Sequence, residues 1–353
     1  MKKNFKVKGK RIGFKAPVFI IAEVGCNFEG DLSRAKEMIR QAARAGCDAV
    51  KLQTFTADKL TTKTAKKFWD IEGCPGNTQY EEFKEMPNLS LDQYMELKKI
   101  AEKEKIIFFS TPEDEDSADL LEKSGVALYK ISSMNITHFP LLKYISEKGK
   151  PVILSTGAST LPEIREAVGV IRARGNKKIV LLHCISNYPT CDKNANLRMI
   201  AGLKEAFPDI PIGYSDHTIP DAGEGILAAA VALGAKIIEK HFTFDNSRPG
   251  YDHAISADYE GMKNIVKQIR RVENALGEKY KRPIPSESKA RLHARRSIVS
   301  VSRIFKGKIV RKEDLGIKRP GTGIEPKYLD KIIGKKAMVN IPIDAVLRWG
   351  MFK

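Results

Sequence analysis

From the N-terminus to Asp245, short apolar runs recur along the chain. Each is followed by polar or glycine residues and then by a stretch with a helical period. The runs lie at 18–22, 49–50, 106–109, 127–129, 151–154, 179–182, 210–212 and 235–238. They are rich in Val and Ile and do not alternate with polar residues, the pattern of strands buried on both faces of a parallel sheet. Between them, Ser90-Leu91-Asp92-Gln93 and Thr160-Leu161-Pro162-Glu163 fit capping boxes at helix starts. After Asp31, a stripe of Leu32, Ala35, Ile39, Ala42 and Ala43 predicts an amphipathic helix that Gly46 closes. Eight strands alternating with helices predict an α/β fold, a (β/α)8 TIM barrel, with an open doubly wound sheet as the alternative. The long stretch 55–88 is the one large insertion, expected to form a loop over the mouth of an active site.

Beyond a helix expected over 259–276 the pattern changes. Residues 277–289 are rich in Lys, Pro and Ser and read as a linker. Short β-rich runs follow at 297–301 and 308–310, with turns at Lys306-Gly307 and Pro320-Gly321. The expected division is a barrel over 1–280, a linker over 281–291 and a small β-rich domain over 292–353.

Composition narrows the classes. In a chain of 353 residues, 42% hydrophobic and 29% charged residues are ordinary globular proportions. They exclude a mainly disordered chain, a collagen-like fibre and a multi-span membrane protein. The first apolar run, 18–22, is too short for a signal peptide or a spanning helix. Five scattered cysteines without a CxxC pair suggest reduced thiols and a cytoplasmic location. The 61 basic against 43 acidic residues give a formal charge of +18. That surface attracts anions, yet its densest basic stretches, 63–67 and 279–282, are short and lack interleaved aromatics. A solvated lysine-rich surface is favoured over a functional anion field, and neither a nucleic-acid nor a membrane partner is expected.

In a barrel, chemistry comes from the C-terminal ends of the strands. Those ends carry Glu23 and Asn27, Lys51 and Gln53, Ser110-Thr111, Lys130 with Ser132-Ser133, and Ser155-Thr156-Gly157. Later ends carry His183 with Ser186-Asn187-Tyr188, Ser215-Asp216-His217 and Glu239-Lys240-His241. Polar groups at every strand end are hard to reconcile with a purely structural barrel. Lys51, Lys130, Lys240 and the hydroxyls suit a phosphate and a carboxylate. His217 and His241 end consecutive strands, so their imidazoles can reach one divalent ion, with Glu23 opposite.

A set of motifs then carries a family resemblance. Ile21-Ala22-Glu23-Val24-Gly25, Asp48-Ala49-Val50-Lys51-Leu52-Gln53-Thr54, Ser110-Thr111-Pro112, Leu154-Ser155-Thr156-Gly157 and His183-Cys184 with Tyr188-Pro189-Thr190 resemble the sialic acid synthase family. So do Gly213-Tyr214-Ser215-Asp216-His217-Thr218, Glu239-Lys240-His241-Phe242-Thr243 and Pro249-Gly250-Tyr251-Asp252-His253. The tail Ile317-Lys318-Arg319-Pro320-Gly321-Thr322-Gly323 resembles the family's antifreeze-like (SAF, β-clip) domain.

The resemblance implies condensation of phosphoenolpyruvate with an N-acetylated amino sugar such as N-acetylmannosamine, giving a nine-carbon 2-keto sugar acid and phosphate. It implies a divalent cofactor, Mn2+ or Mg2+, on His217 and His241, and Glu23 as the catalytic carboxylate. Lys51, Thr111, Lys130, Ser133, Ser155, Ser186 and Ser215 would hold phosphoenolpyruvate. Gln53, Tyr188, Asp252 and Arg319 would face the sugar, Arg319 crossing to the partner in a domain-swapped homodimer. Two positions depart from the family pattern: Phe28 replaces the histidine of Asn-His-x-Gly, and Glu113 replaces the phenylalanine of Ser-Thr-Pro-Phe. A lost imidazole at 28 is expected to alter polarity near the sugar or metal, which keeps legionaminate or pseudaminate synthesis open as alternatives. Shorter-chain synthases acting on phosphorylated aldoses leave the tail unexplained. A basic nucleic-acid-binding protein predicts steep salt dependence of binding, and an inactive sugar-binding protein predicts no phosphate release.

Overall fold

A computed structural model describes residues 4–69, 73–221, 223 and 225–353. The chain divides into two compact units, Met1–Gly277 and Glu278–Lys353.

The first unit opens with an antiparallel hairpin of β1 (Phe5–Val7) and β2 (Lys10–Ile12). Eight strands follow: β3 (Phe19–Gly25), β4 (Ala49–Thr54), β5 (Ile107–Pro112), β6 (Tyr129–Ile131), β7 (Val152–Ser155), β8 (Ile179–Cys184), β9 (Ile212–Asp216) and β10 (Ile237–His241). All pair in parallel in chain order, and β10 returns to β3, so the sheet is a closed barrel. Closure excludes the open doubly wound sheet. Helices α1 (Leu32–Ala45), α4 (Leu91–Lys103), α5 (Glu115–Ser124), α6 (Phe139–Glu147), α7 (Leu161–Ala173), α8 (Met199–Ala206), α9 (Gly225–Ala232) and α10 (Tyr259–Leu276) separate and follow the strands. Among the described residues no helix is long and apolar enough to cross a membrane.

Local signals explain the helix ends. Asp31 caps α1 by accepting from the Ser33 and Arg34 amides, and Gly46 ends it with a left-handed φ of 93°. The Ser90 and Thr160 capping boxes form as the sequence suggests. At the N-terminal end of the barrel, Asp48 accepts from Lys10 Nζ and the Ile20 amide, at 2.7 and 2.9 Å, while Arg270 donates to the Val18 carbonyl at 2.8 Å. These bonds tie the hairpin, β3 and α10 together.

The 55–88 insertion is partly helical, with α2 (Ala57–Leu60) and α3 (Gln79–Glu85); residues 70–72 lie outside the described set. It packs on the loop after β10. A Cβ on Gly73 would fall 2.7 Å from Pro249 Cβ, so only glycine allows this approach.

The second unit has its own small apolar core of Ile298, Ile304, Val310, Ile324, Ile332, Ala337, Ile341 and Leu347. Strands β11 (Ser297–Ser300) and β12 (Leu315–Lys318) pair antiparallel. The run at 308–310, expected as a strand, makes only a single bridge, Ile309 to Lys336. Ser288–His293, which overlaps the end of the stretch expected as a linker, forms the short helix α11 and belongs to this unit. Gly323 is needed for close approach, because a Cβ there would stand 2.4 Å from the Leu347 carbonyl.

One fully buried ion pair supports the barrel wall. Lys240 Nζ lies 2.6 Å from Asp216 Oδ2 and donates to the Thr218 carbonyl at 2.5 Å. Asp216→Ala would strand the Lys240 charge and is expected to destabilise the first unit by about 3–5 kcal/mol. Adding Lys240→Met should recover most of that loss. Denaturant unfolding of both variants measures it, and an unchanged midpoint in the single variant would rule the role out.

Candidate active site

Strand period decides which strand-end groups meet. Successive residues face opposite sides of a strand, so Glu23, Lys51, Gln53, Thr111, Lys130, Ser155, Ser215, Glu239 and His241 converge on one cavity at the C-terminal end of the barrel. Ser133, Tyr188 and His217 join them from the loops after β6, β8 and β9. Lys240 points the other way, to Asp216, so it is not an anion ligand as its sequence position suggested. His183 likewise faces outward, its Nε2 2.8 Å from the Ala195 carbonyl and its ring stacked on Tyr214.

At the centre, carboxylates and lysines alternate. Lys51 Nζ lies 2.7 Å from Glu23 Oε2 and donates to Thr111 Oγ1 at 3.1 Å. Lys130 Nζ lies 3.3 Å from Glu239 Oε1, which also accepts from Ser215 Oγ at 2.9 Å. Glu239 Oε2 is 4.0 Å from Lys51 Nζ. Gln53 Nε2 donates to Glu23 Oε1 at 3.3 Å, which fixes that carboxylate from the second side. Glu239 holds both lysines in place; the sequence named it at a strand end but gave it no role, and its signal was its position two residues before His241 on the same strand.

The electrostatics differ between the two acids. Burial pushes the Glu23 carboxyl up to about 7, against the pull of Lys51. Burial also opposes ionisation of Glu239, but Lys130 and Lys51 outweigh it and hold that group below the usual carboxylate range. One acid therefore stays ionised while the other titrates near neutrality, as a general acid–base group requires.

Two hydroxyls near the lysines are unused. The Ser155 and Ser186 Oγ atoms are buried without hydrogen-bond partners. Ser133 Oγ accepts from the Gly157 amide at 2.9 Å. A Cβ at residue 157 would fall 2.3 Å from Ser186 Oγ and 2.9 Å from Ser133 Oγ, so Gly157 is what lets these hydroxyls share the space. Two lysines and free Ser/Thr donors in one enclosed volume suit a phosphorylated carboxylate.

The His217 and His241 rings stand 5.3 Å apart, with Tyr188 packed 4.2 Å over His217. His217 Nδ1 is 2.7 Å from the Ile185 carbonyl, which leaves Nε2 as its free nitrogen. Burial, with the cationic neighbours, holds His241 well below the usual histidine range, and its buried Nδ1 has no hydrogen-bond partner. A neutral imidazole with an unsatisfied nitrogen fits a metal ligand. Among the described residues no three His, Cys, Asp or Glu side chains form a closed cage. An ion here would take the two imidazoles and complete its shell with oxygen from water and substrate, an open set unlike the closed shell of structural zinc.

Asp252 comes from the loop after β10, its Oδ2 3.4 Å from His241 Nδ1, and desolvation raises its carboxyl to about 6. Asn27 pins that loop: its Oδ1 accepts from the Asp252 amide at 3.1 Å, and its Nδ2 donates to the Phe242 carbonyl and Ser256 Oγ. Arg319 lies exposed in the second unit. Phe28 does not reach the cavity. It is buried in the apolar core. Cys26 is also buried, and burial pushes its thiol up, which suits a spacer and not a nucleophile.

A model described as the NeuB family matches residues 38–281, and one for the SAF domain matches residues 295–353. The N,N'-diacetyllegionaminic acid synthase of Legionella pneumophila is 42% identical over 358 residues, spanning 99% of each chain. The N-acetylneuraminate-9-phosphate synthase of Homo sapiens is 34% identical over 338 residues, 95% of this chain and 93% of its own. A solved N-acetylneuraminic acid synthetase from Leptospira borgpetersenii superposes with a TM-score of 0.74 at 34% identity, covering 82% of this chain and 95% of that one. With the strand-end constellation in place and likeness running through both units, the chain belongs to the NeuB family, its TIM barrel followed by a SAF domain.

Proposed function

We propose that the protein is a nonulosonic acid synthase that joins phosphoenolpyruvate to the open-chain form of an N-acetylated amino sugar. The observation that carries this is the enclosed group of Lys51, Lys130, Thr111, Ser133, Ser155, Ser186 and Ser215 around a carboxyl, Glu23, poised near neutrality. The lysines and hydroxyls bind the phosphate and carboxylate of phosphoenolpyruvate and present its carbon 3 to the sugar aldehyde. The carbon 2–carbon 3 double bond of phosphoenolpyruvate supplies the electron pair for the new carbon–carbon bond, which leaves carbon 2 electron-deficient, and the aldehyde oxygen takes a proton from water. Water then adds at carbon 2, Glu23 takes the proton that this water loses, and phosphate leaves by cleavage of the carbon 2–oxygen bond. A manganese or magnesium ion on His217 and His241 would supply Lewis-acid polarisation of the aldehyde. Gln53 holds the Glu23 carboxylate, while Tyr188 and Asp252 line the acceptor side.

The greater likeness to the diacetyllegionaminic acid synthase than to the N-acetylneuraminate-9-phosphate synthase favours an acceptor with two acetamido groups over N-acetylmannosamine. The proposal extends to a homodimer in which Arg319 of one SAF domain completes the partner's acceptor site.

Phosphate release should need both phosphoenolpyruvate and an acetamido sugar, cease with chelator and return with manganese or magnesium. Mass spectrometry across an acceptor panel, including N-acetylmannosamine and diacetamido sugars, should show one nine-carbon keto acid formed best. No release with any acceptor would end this reading. Glu23→Gln should lower kcat at least ~10²-fold while the phosphoenolpyruvate constant changes little. Because only ionised Glu23 accepts a proton, the wild-type kcat/KM should carry an acid limb lost as pH falls through about 7, and the variant should lack it; an identical limb in both would assign it elsewhere. For the dimer, mixing Arg319→Ala with Glu23→Gln subunits should restore about a quarter of full activity, since half the dimers are mixed and each holds one intact composite site. No recovery after verified subunit exchange would remove the swap.

A further inference from the structure

Glu113 lies where the family resemblance leads one to expect an aromatic ring. Its amide donates to the Thr54 carbonyl at 3.1 Å, which extends the β4–β5 ladder one residue past the strand. By strand parity that returns residue 113 to the inward side taken by Thr111. The half-buried side chain lines the same cavity as Lys51 and Lys130. Its Oε2 accepts from Asn135 Nδ2 at 2.5 Å and from Ser132 Oγ at 3.2 Å. Its Oε1 has no hydrogen-bond partner among the described residues. With two donors on Oε2, a proton carried by this carboxyl belongs on Oε1.

Charge balance gives that proton a purpose. Lys130 on β6 and Lys51 on β4 face Glu113, with Asn135 and Ser132 from the loop after β6; Glu23 on β3 and Glu239 on β10 line the same cavity. His217 and His241 line the cavity too, His217 held above the usual histidine range, despite burial, by Cys184 and the Ile185 carbonyl, and His241 held below it by burial. An ionised Glu113 would still add a third carboxylate where a phosphorylated carboxylate must bind. Desolvation already pushes the Glu113 carboxyl up to about 7, against the hydrogen bonds of Asn135 and Ser132 and the pull of the lysines.

We propose that Glu113 contacts phosphoenolpyruvate through Oε1 as a neutral hydrogen-bond donor, so that the substrate enters its subsite together with a proton on this carboxyl. This rests on phosphoenolpyruvate being the substrate. It assigns the chain a substrate-contacting acid separate from the catalytic Glu23.

Titration calorimetry of the full chain with phosphoenolpyruvate, in buffers of different ionisation enthalpy, counts the protons taken up. Wild type should take up nearly one more proton than Glu113→Gln at pH 8. The ratio of wild-type to variant Kd should rise from about 1 at pH 6 to about tenfold at pH 8, because the neutral fraction then falls to about a tenth. Comparison with the variant cancels the substrate's own titration and that of Glu23. Glu113→Phe, which has no donor, should share the pH profile of Glu113→Gln and bind more weakly at every pH. Parallel wild-type and variant profiles would overturn the proposal and leave the substrate reading intact. So would wild-type binding at pH 8 without proton uptake, whatever the variants do. Failure of wild type to bind phosphoenolpyruvate at any pH would instead overturn the substrate reading, and the proposal with it.

Discussion

In a closed parallel barrel, neighbouring residues of one strand face opposite sides, one toward the lumen and one toward the helices. That alternation sorts the charges of this protein. Of the three consecutive residues ending β10, Glu239 and His241 point into the cavity, while Lys240 points out to Asp216. On β5, Ser110 faces outward and bonds Thr54 Oγ1 at 2.6 Å, whereas Thr111 faces inward and receives Lys51. In β5 and β10 one polar group thus holds the wall while the next serves the cavity. A register slip of one residue would exchange the two sets, so the barrel's packing and its chemistry rest on the same pairing.

The inward set is a compact charge-balanced network. Alternating Glu23, Lys51, Glu239 and Lys130 keep each buried charge beside an opposite one, which is the condition for ions to persist away from water. The balance is incomplete by design of the surroundings: Glu239 is held ionised by two lysines, while Glu23 and Glu113 are both raised to about 7. The site can therefore change its charge by single protons near neutrality. The orphaned hydroxyls of Ser155 and Ser186 add donors that cost free energy while unfilled, a cost a bound anion relieves.

Loops supply what the strands cannot. Asn27 spans from the end of β3 to the loop after β10, and the 55–88 insertion meets that loop through Gly73 against Pro249. Glu29 accepts from Arg248 at 2.7 Å and lies 3.3 Å from His253 Nε2. These contacts hold Asp252 beside His241, at the start of a single 3-10 turn, His253–Ile255. Asp252 is thus placed by cross-loop contacts, while Glu23, Lys51, Lys130 and Glu239 are placed by strands.

The amino-acid sequence by itself determined the eight-fold alternation, the helix caps, the small β-rich tail and most of the inward-facing groups. Each of these depends on local period or on a residue's own chemistry. It marked Lys51, Thr111, Ser155 and His241 because strand ends in a barrel are functional ends. Tertiary structure alone decided which strand-end groups share the cavity, since parity relative to the lumen depends on where each strand begins, and apolar runs leave that open by a residue or two. That is why Lys240 and His183 read as site residues and prove structural, and why Glu239 was named at a strand end without a role. The pKa of Glu23 and the pairing of Glu113 with Asn135 also required the fold, because desolvation and hydrogen bonding depend on neighbours distant in sequence.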